Sequence, residues 1–166
     1  MEKIFDYLEA EYTKKIETNV IIYNAIIRNN PVLVIVVNMD KSVSEYNTLI
    51  KKYNKPDIKK ILLFSNNIEN KEKKIKLEFN NINIFEKYIL EMNYFNHSIF
   101  NDIKSLNIIP NDDSRIINIY NNLSEISVND PTIVFMFGLK DEVLRIEKYK
   151  NENTISKTVI EYKKIV

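Results

Sequence analysis

The order of apolar segments predicts an α/β (α+β) chain in two parts, and three observations carry that prediction. Val32 to Val37 is an unbroken, mostly β-branched run, the pattern of a strand covered on both faces. Ser42-Val43-Ser44-Glu45 then fits a capping box opening a helix, and Ile61-Leu62-Leu63-Phe64 follows as a second short buried strand. Strand, helix and strand in this order imply a parallel pair joined by a right-handed crossover. Toward the end, Val143 to Tyr149 and Thr158 to Val166 read as two strands joined by the polar turn Lys150 to Thr154.

Taken in order, Ile4, Leu8, Tyr12 and Ile16 recur every fourth residue, so residues 2–16 are expected to form an amphipathic helix. Val20 to Ile27, apolar almost throughout, reads as a more buried second helix that stops at Asn29-Asn30-Pro31. After the capping box, Val43, Tyr46, Leu49, Ile50 and Tyr53 make one helical stripe. Phe85 to Met92 is expected to be a short helix and Tyr94 to Phe100 an extended segment. Asn111-Asp112-Asp113-Ser114 fits a cap for a helix carrying Ile116, Ile117 and Tyr120. Asn151 or Asn153 is placed to take a left-handed turn conformation where glycine is absent. Pro110 and its Asn-rich surroundings make the best linker, and the chain is read as two parts, residues 1–105 and 106–166.

Composition narrows the chemistry. At 166 residues the chain can bury about two-thirds of its unfolded surface, so no staple is required. With no Cys there is no thiol nucleophile, Cys-ligated metal or disulfide, and one His (His97) excludes a two-His metal site. That histidine has no partner to activate or to orient it and reads as structural. One glycine excludes phosphate-cradling glycine-rich loops. Gly138 itself sits where a short helix must stop before a strand, which suggests a left-handed position after the helix end. Asp130-Pro131 reads as the cap and first residue of that helix. The acidic N-terminal stretch is unlike a secretory signal, and the longest apolar run is far too short to span a bilayer. A soluble, intracellular protein without cofactors is expected.

The formal net charge of +1 hides blocks of opposite sign. Residues 51–76 hold nine Lys against Asp57, Glu69 and Glu72, a balance of +6, whereas 77–147 balance to −6. Such asymmetry marks either a partner surface or a solvated helix face. Lys71, Lys73 and Lys74 follow the Ile61–Phe64 strand, where α/β sheets place ligand contacts. Pro56-Asp57 with Glu72-Lys73-Lys74 also superficially matches restriction-type nucleases. Those need the two carboxylates on adjacent strands around a magnesium ion, and Glu72 falls in a stretch that reads as helix.

Five pieces in order carry a family resemblance: Leu123-Ser124-Glu125-Ile126, Asp130-Pro131, Phe137-Gly138-Leu139-Lys140, Val143-Leu144-Arg145-Ile146 and Glu161-Tyr162-Lys163. Upstream, Phe85, Leu90, Asn93 and His97 match a Phe…Leu…Asn…His run, and Lys73-Lys74 stand at a Lys-Lys position. In these features the chain resembles the fifth subunit of eukaryotic nuclear RNA polymerases, a family whose archaeal members lack the front domain. It departs from that pattern at Ser124, where the family has proline, at Glu69-Asn70-Lys71-Glu72, which replace a Thr-Pro-Ser-Ala loop, and in lacking two glycines. Residues 1–60 match only as a strand-and-helix pattern.

The resemblance implies a non-catalytic subunit of a DNA-dependent RNA polymerase. Residues 1–105 would be a jaw-like domain touching downstream duplex DNA without sequence preference through Lys71, Lys73 and Lys74. Residues 106–166 would be an assembly domain docking on the largest subunit, with Leu123, Ile126, Asp130, Pro131, Gly138 and Tyr162 serving docking or the domain's own fold. A shortened version so rich in Ile, Asn and Lys, the residues of an AT-rich coding sequence, looks most like one encoded by a large cytoplasmic DNA virus, found then in host cytoplasm and virion; a cellular one would be nuclear. A restriction-type nuclease and a free-standing interaction module are the alternatives.

Overall fold

The computed structural model describes residues 1–90, 103–152 and 155–166. The chain divides into two compact units, Met1–Met92 and Asn93–Val166. Both mix helix and strand, as the apolar pattern predicts. The division falls earlier than residue 105 because the strand starting at Ile103 pairs within the second unit. His97 and Tyr94 to Phe100 lie outside the described residues.

The first unit opens with helix α1 (Glu2–Tyr7), strand β1 (Glu11–Glu17), strand β2 (Val20–Ile27) and strand β3 (Asn30–Val37). Both helices expected before Pro31 are therefore corrected. Glu9 takes φ 51°, which ends α1, and the chain enters β1. Tyr12 and Ile16 are four apart, a spacing that keeps one face in a strand of period two as well as in a helix. β2 is apolar almost throughout because it is largely buried on both faces, with Ile22 on one side and Tyr23, Ala25 and Ile27 on the other. Its turns use asparagine in place of glycine: Asn19 has φ 63°, and Arg28 and Asn29 have φ 50° and 63°.

β3 continues into helix α2 (Val43–Tyr53) and strand β4 (Lys60–Ser65), then helix α3 (Glu69–Lys76) and strand β5 (Ile82–Glu86). The sheet order is β1-β2-β3-β4-β5, with β3, β4 and β5 mutually parallel as the strand–helix–strand pattern requires. The capping box forms: Ser42 Oγ accepts from Glu45 N at 3.3 Å and Glu45 returns an acceptor to Ser42 N at 2.8 Å. The α2 stripe packs on the sheet, with Tyr46 and Ile50 fully buried beside Leu33, Ile35, Ile61 and Leu63. The expected helix from Phe85 is corrected. Phe85 and Glu86 finish β5 and Lys87–Leu90 form a single tight 3₁₀ turn, while Glu91 and Met92 lie outside the described residues.

The second unit contains strand β6 (Ile103–Ile109), strand β7 (Ser124–Ile126), helix α4 (Pro131–Phe135), strand β8 (Val143–Glu152) and strand β9 (Ile155–Ile165). The order is β6-β8-β9-β7, antiparallel except for β7 along β9. Both strands of the predicted hairpin are present, and they run further into the turn than expected. Asn151 belongs to β8, and Asn153 is outside the described residues. The helix expected after Asp113 does not form. Asp113 Oδ1 accepts from Arg115 N at 2.9 Å, a local side-chain bond that competes with helix, and residues 111–119 make successive turns.

Candidate functional site

Lys71, Lys73 and Lys74 sit on α3, which leaves the C-terminal end of β4. Glu86, at the end of the neighbouring β5, accepts from Asn67 N at 3.2 Å and Ile68 N at 3.0 Å and so holds the start of α3. Ile75 points into the core, which turns Lys73 and Lys74 outward, both exposed. Lys71 is different. Its ammonium pairs with Asp40, just after β3, and lies 5.8 Å from the Tyr46 ring centroid. The Lys71 bond holds the Asp40 carboxyl below the usual aspartate range. Beneath this pair, Tyr46 Oη and Ser65 Oγ share a buried hydrogen bond of 2.6 Å. At the C-terminal ends of β3 and β4, Asp40, Lys71, Tyr46 and Ser65 are thus engaged with one another.

Four of the nine lysines in the basic block of the sequence are paired with carboxylates in three dimensions. Lys51 pairs with Glu78, Lys52 with Glu17, Lys71 with Asp40 and Lys76 with Glu72. Lys60 is buried at 3% exposure, which leaves Lys55, Lys59, Lys73 and Lys74 as the exposed lysines outside these pairs. The first two stand before β4 and the last two after it, roughly 20 Å apart for a strand of this length. Asp57 and Glu72 are separated in the same way, on opposite ends of β4 rather than on adjacent strands. Among the described residues no group of three His, Asp or Glu is placed to hold a metal ion.

In the second unit the six residues singled out by the sequence serve one small piece of structure. Asp130 caps α4, accepting from Thr132 N at 2.8 Å, with Pro131 at the first helical position. Leu123 and Tyr162 pack on the buried cluster of Ile109, Ile116 and Val143. Ile126 pairs with Ile165, and Val166 N donates to Ile126 O at 3.0 Å. Gly138 is not left-handed; Phe137 takes that conformation, with φ 53°. Glycine is required at 138 for space, because a Cβ there would lie 2.7 Å from Ile133 Cγ2 and 2.8 Å from Ile165 Cδ1.

Two charged groupings carry no signal in the linear pattern. Glu17 accepts from Tyr53 Oη and pairs with Lys15 at 2.9 Å and Lys52 at 3.1 Å, which holds its carboxyl down to about 2. Asp113 is held to about 2 by Arg115, whose guanidinium reaches it at 2.6 and 2.8 Å. The first forms only because residues 11–17 are a strand that brings Glu17 to Lys52 and Tyr53, and the second depends on turns that spacing does not reveal.

Among the described residues, no helix is long and apolar enough to cross a membrane. No protein-family model matches the chain, and no curated protein is significantly similar to it.

Proposed function

We propose that the chain is a non-catalytic subunit of a multisubunit DNA-dependent RNA polymerase, of the fifth-subunit type. The observation that supports this reading is convergence. The pieces that carry the resemblance are spread over residues 123–163, yet their side chains cap, pair and pack within one sheet-and-helix module. These residues build a compact module, which suits an assembly role. The docking contact falls to the module's outer surface, where Tyr149 and Ile160 are 50% and 44% exposed. The partner is the largest polymerase subunit.

The first unit lies near downstream DNA in this reading. Its contribution is two exposed lysines, Lys73 and Lys74, because Lys71 is engaged by Asp40. Contacts of this kind touch phosphate, depend on salt and carry no base information. Affinity purification of a tagged chain from its native cell or infected host tests the proposal. Recovery with two very large polymerase subunits is the expected result, and recovery of the chain alone would overturn it.

A further inference from the structure

A corner of the first sheet is left uncovered by α2. Cross-strand register puts Glu11, Ile26 and Pro31 in one row and Thr13, Asn24 and Leu33 in the row beside it. Leu33 belongs to the core beneath α2, so all six side chains lie on the helix-bearing face. α2 ends at Tyr53, before it reaches the outer row, and Ile26 remains 51% exposed. The connection carrying Lys55, Asp57 and Ile58 forms the opposite wall, and together these elements enclose a cleft of about 410 Å³.

The volume falls within the range of about 300–1,000 Å³ that small-molecule sites occupy, and the lining has their usual character, apolar with a few polar groups. Ile26, Pro31 and Ile58 supply apolar surface. Asn24 is half-buried there, and its side chain makes no hydrogen bond to the described residues. Glu11 and Asp57 likewise form no ion pair among the described residues, although four lysines of the neighbouring 51–76 block do. With Lys55 as the one cation, the lining carries a net charge of −1. An apolar surface, a spare amide and one carboxylate in excess of Lys55 suit one ligand chemistry.

We propose that this cleft binds a small organic cation with an apolar body, an alkyl- or arylammonium. The hydrocarbon part rests on Ile26, Pro31 and Ile58. The ammonium donates to Glu11 or Asp57 and to the Asn24 amide oxygen. The assignment stands apart from the polymerase reading: it concerns the first unit alone and leaves the assembly module untouched.

The test is an amide NMR titration of the full chain with phenethylammonium, using phenylacetate and 2-phenylethanol as anionic and neutral controls of similar shape. Saturable shifts confined to the amides of residues 11–13, 24–26, 55, 57 and 58 are expected for the cation. Binding of both controls should be about fivefold weaker or more, which is what one or two exposed ion pairs supply. Raising the salt concentration should weaken the cation alone. In Glu11→Gln/Asp57→Asn the cation should fall to the level of the alcohol. Equal response to the three probes in the wild-type chain, absence of saturable shifts at those amides, or undiminished cation binding by the double variant would each overturn the proposal.

Discussion

The backbone N–H of Gly138 donates to the carbonyl of Ile133 at 2.8 Å, and a Cβ on residue 138 would stand 2.7 Å from Ile133 Cγ2. The end of α4 is therefore pressed so closely onto its own helix that only hydrogen fits. Ile133 Cγ2 is fixed by its branch point, unlike the far end of a flexible chain, and cannot swing away cheaply.

Gly138→Ala is expected to destabilise the second unit by about 1–3 kcal/mol, the usual cost of overpacking a tight core. The penalty should shrink in an Ile133→Ala background, where the nearer methyl is gone and only Ile165 Cδ1, the far end of a flexible chain, stays close. Urea unfolding of the four proteins of this cycle measures both terms. An equal penalty in both backgrounds would place the constraint elsewhere.

Tyr46→Phe removes one partner from the buried 2.6 Å bond to Ser65 Oγ. Leaving a buried hydroxyl without its partner costs about 1–3 kcal/mol. Tyr46→Phe combined with Ser65→Ala should recover part of that loss, since neither polar group then remains. Thermal or urea unfolding of single and double variants decides the point.

Glu17 titrates at about 2 in the folded chain against an ordinary value of 4.5. Its partners thus favour the ionised form, and their contribution to stability is complete above about pH 4.5 and is lost as the pH falls toward 2. Tyr53→Phe removes the largest contributor and should raise the midpoint of Glu17. A ¹³C-detected carboxyl titration reads it directly. An unchanged midpoint would mean that Lys15 and Lys52 suffice.

Reversing charge at the two exposed lysines separates a DNA contact from a solvated face. With the chain in assembled polymerase, Lys73→Glu/Lys74→Glu should shorten the elongation-complex half-life at low salt and matter less at high salt. Lys71→Glu should instead act on folding, since it sets a carboxylate against Asp40. Equal half-lives for wild type and the double variant at low salt would leave Lys73 and Lys74 as ordinary solvated residues.

Much of the parallel core was legible in the sequence because its signals are local. The capping box at Ser42 and the β-branched run after Pro31 each allow one conformation. The front hairpins were not legible, since asparagine at residues 19 and 29 does the turning that glycine would have announced. The four-residue spacing from Tyr12 to Ile16 serves strand and helix alike. At the candidate site, the run of lysines was visible but its ion pairs were not. Glu17, Asp40 and Glu78 reach those lysines only through the folded sheet. Gly138 was recognisable as constrained, but the constraint is two neighbouring methyl groups rather than a dihedral angle.

The docking claim is tested most directly by lysine cross-linking with mass spectrometry on the affinity-purified assembly. Exposed Lys140 and half-buried Lys148 and Lys163 report on the second unit, and Lys73 and Lys74 on the first. The polymerase reading predicts links from the second-unit lysines to the largest subunit of the enzyme. A chain that carries only internal links and elutes at its own mass of 19.7 kDa would contradict it.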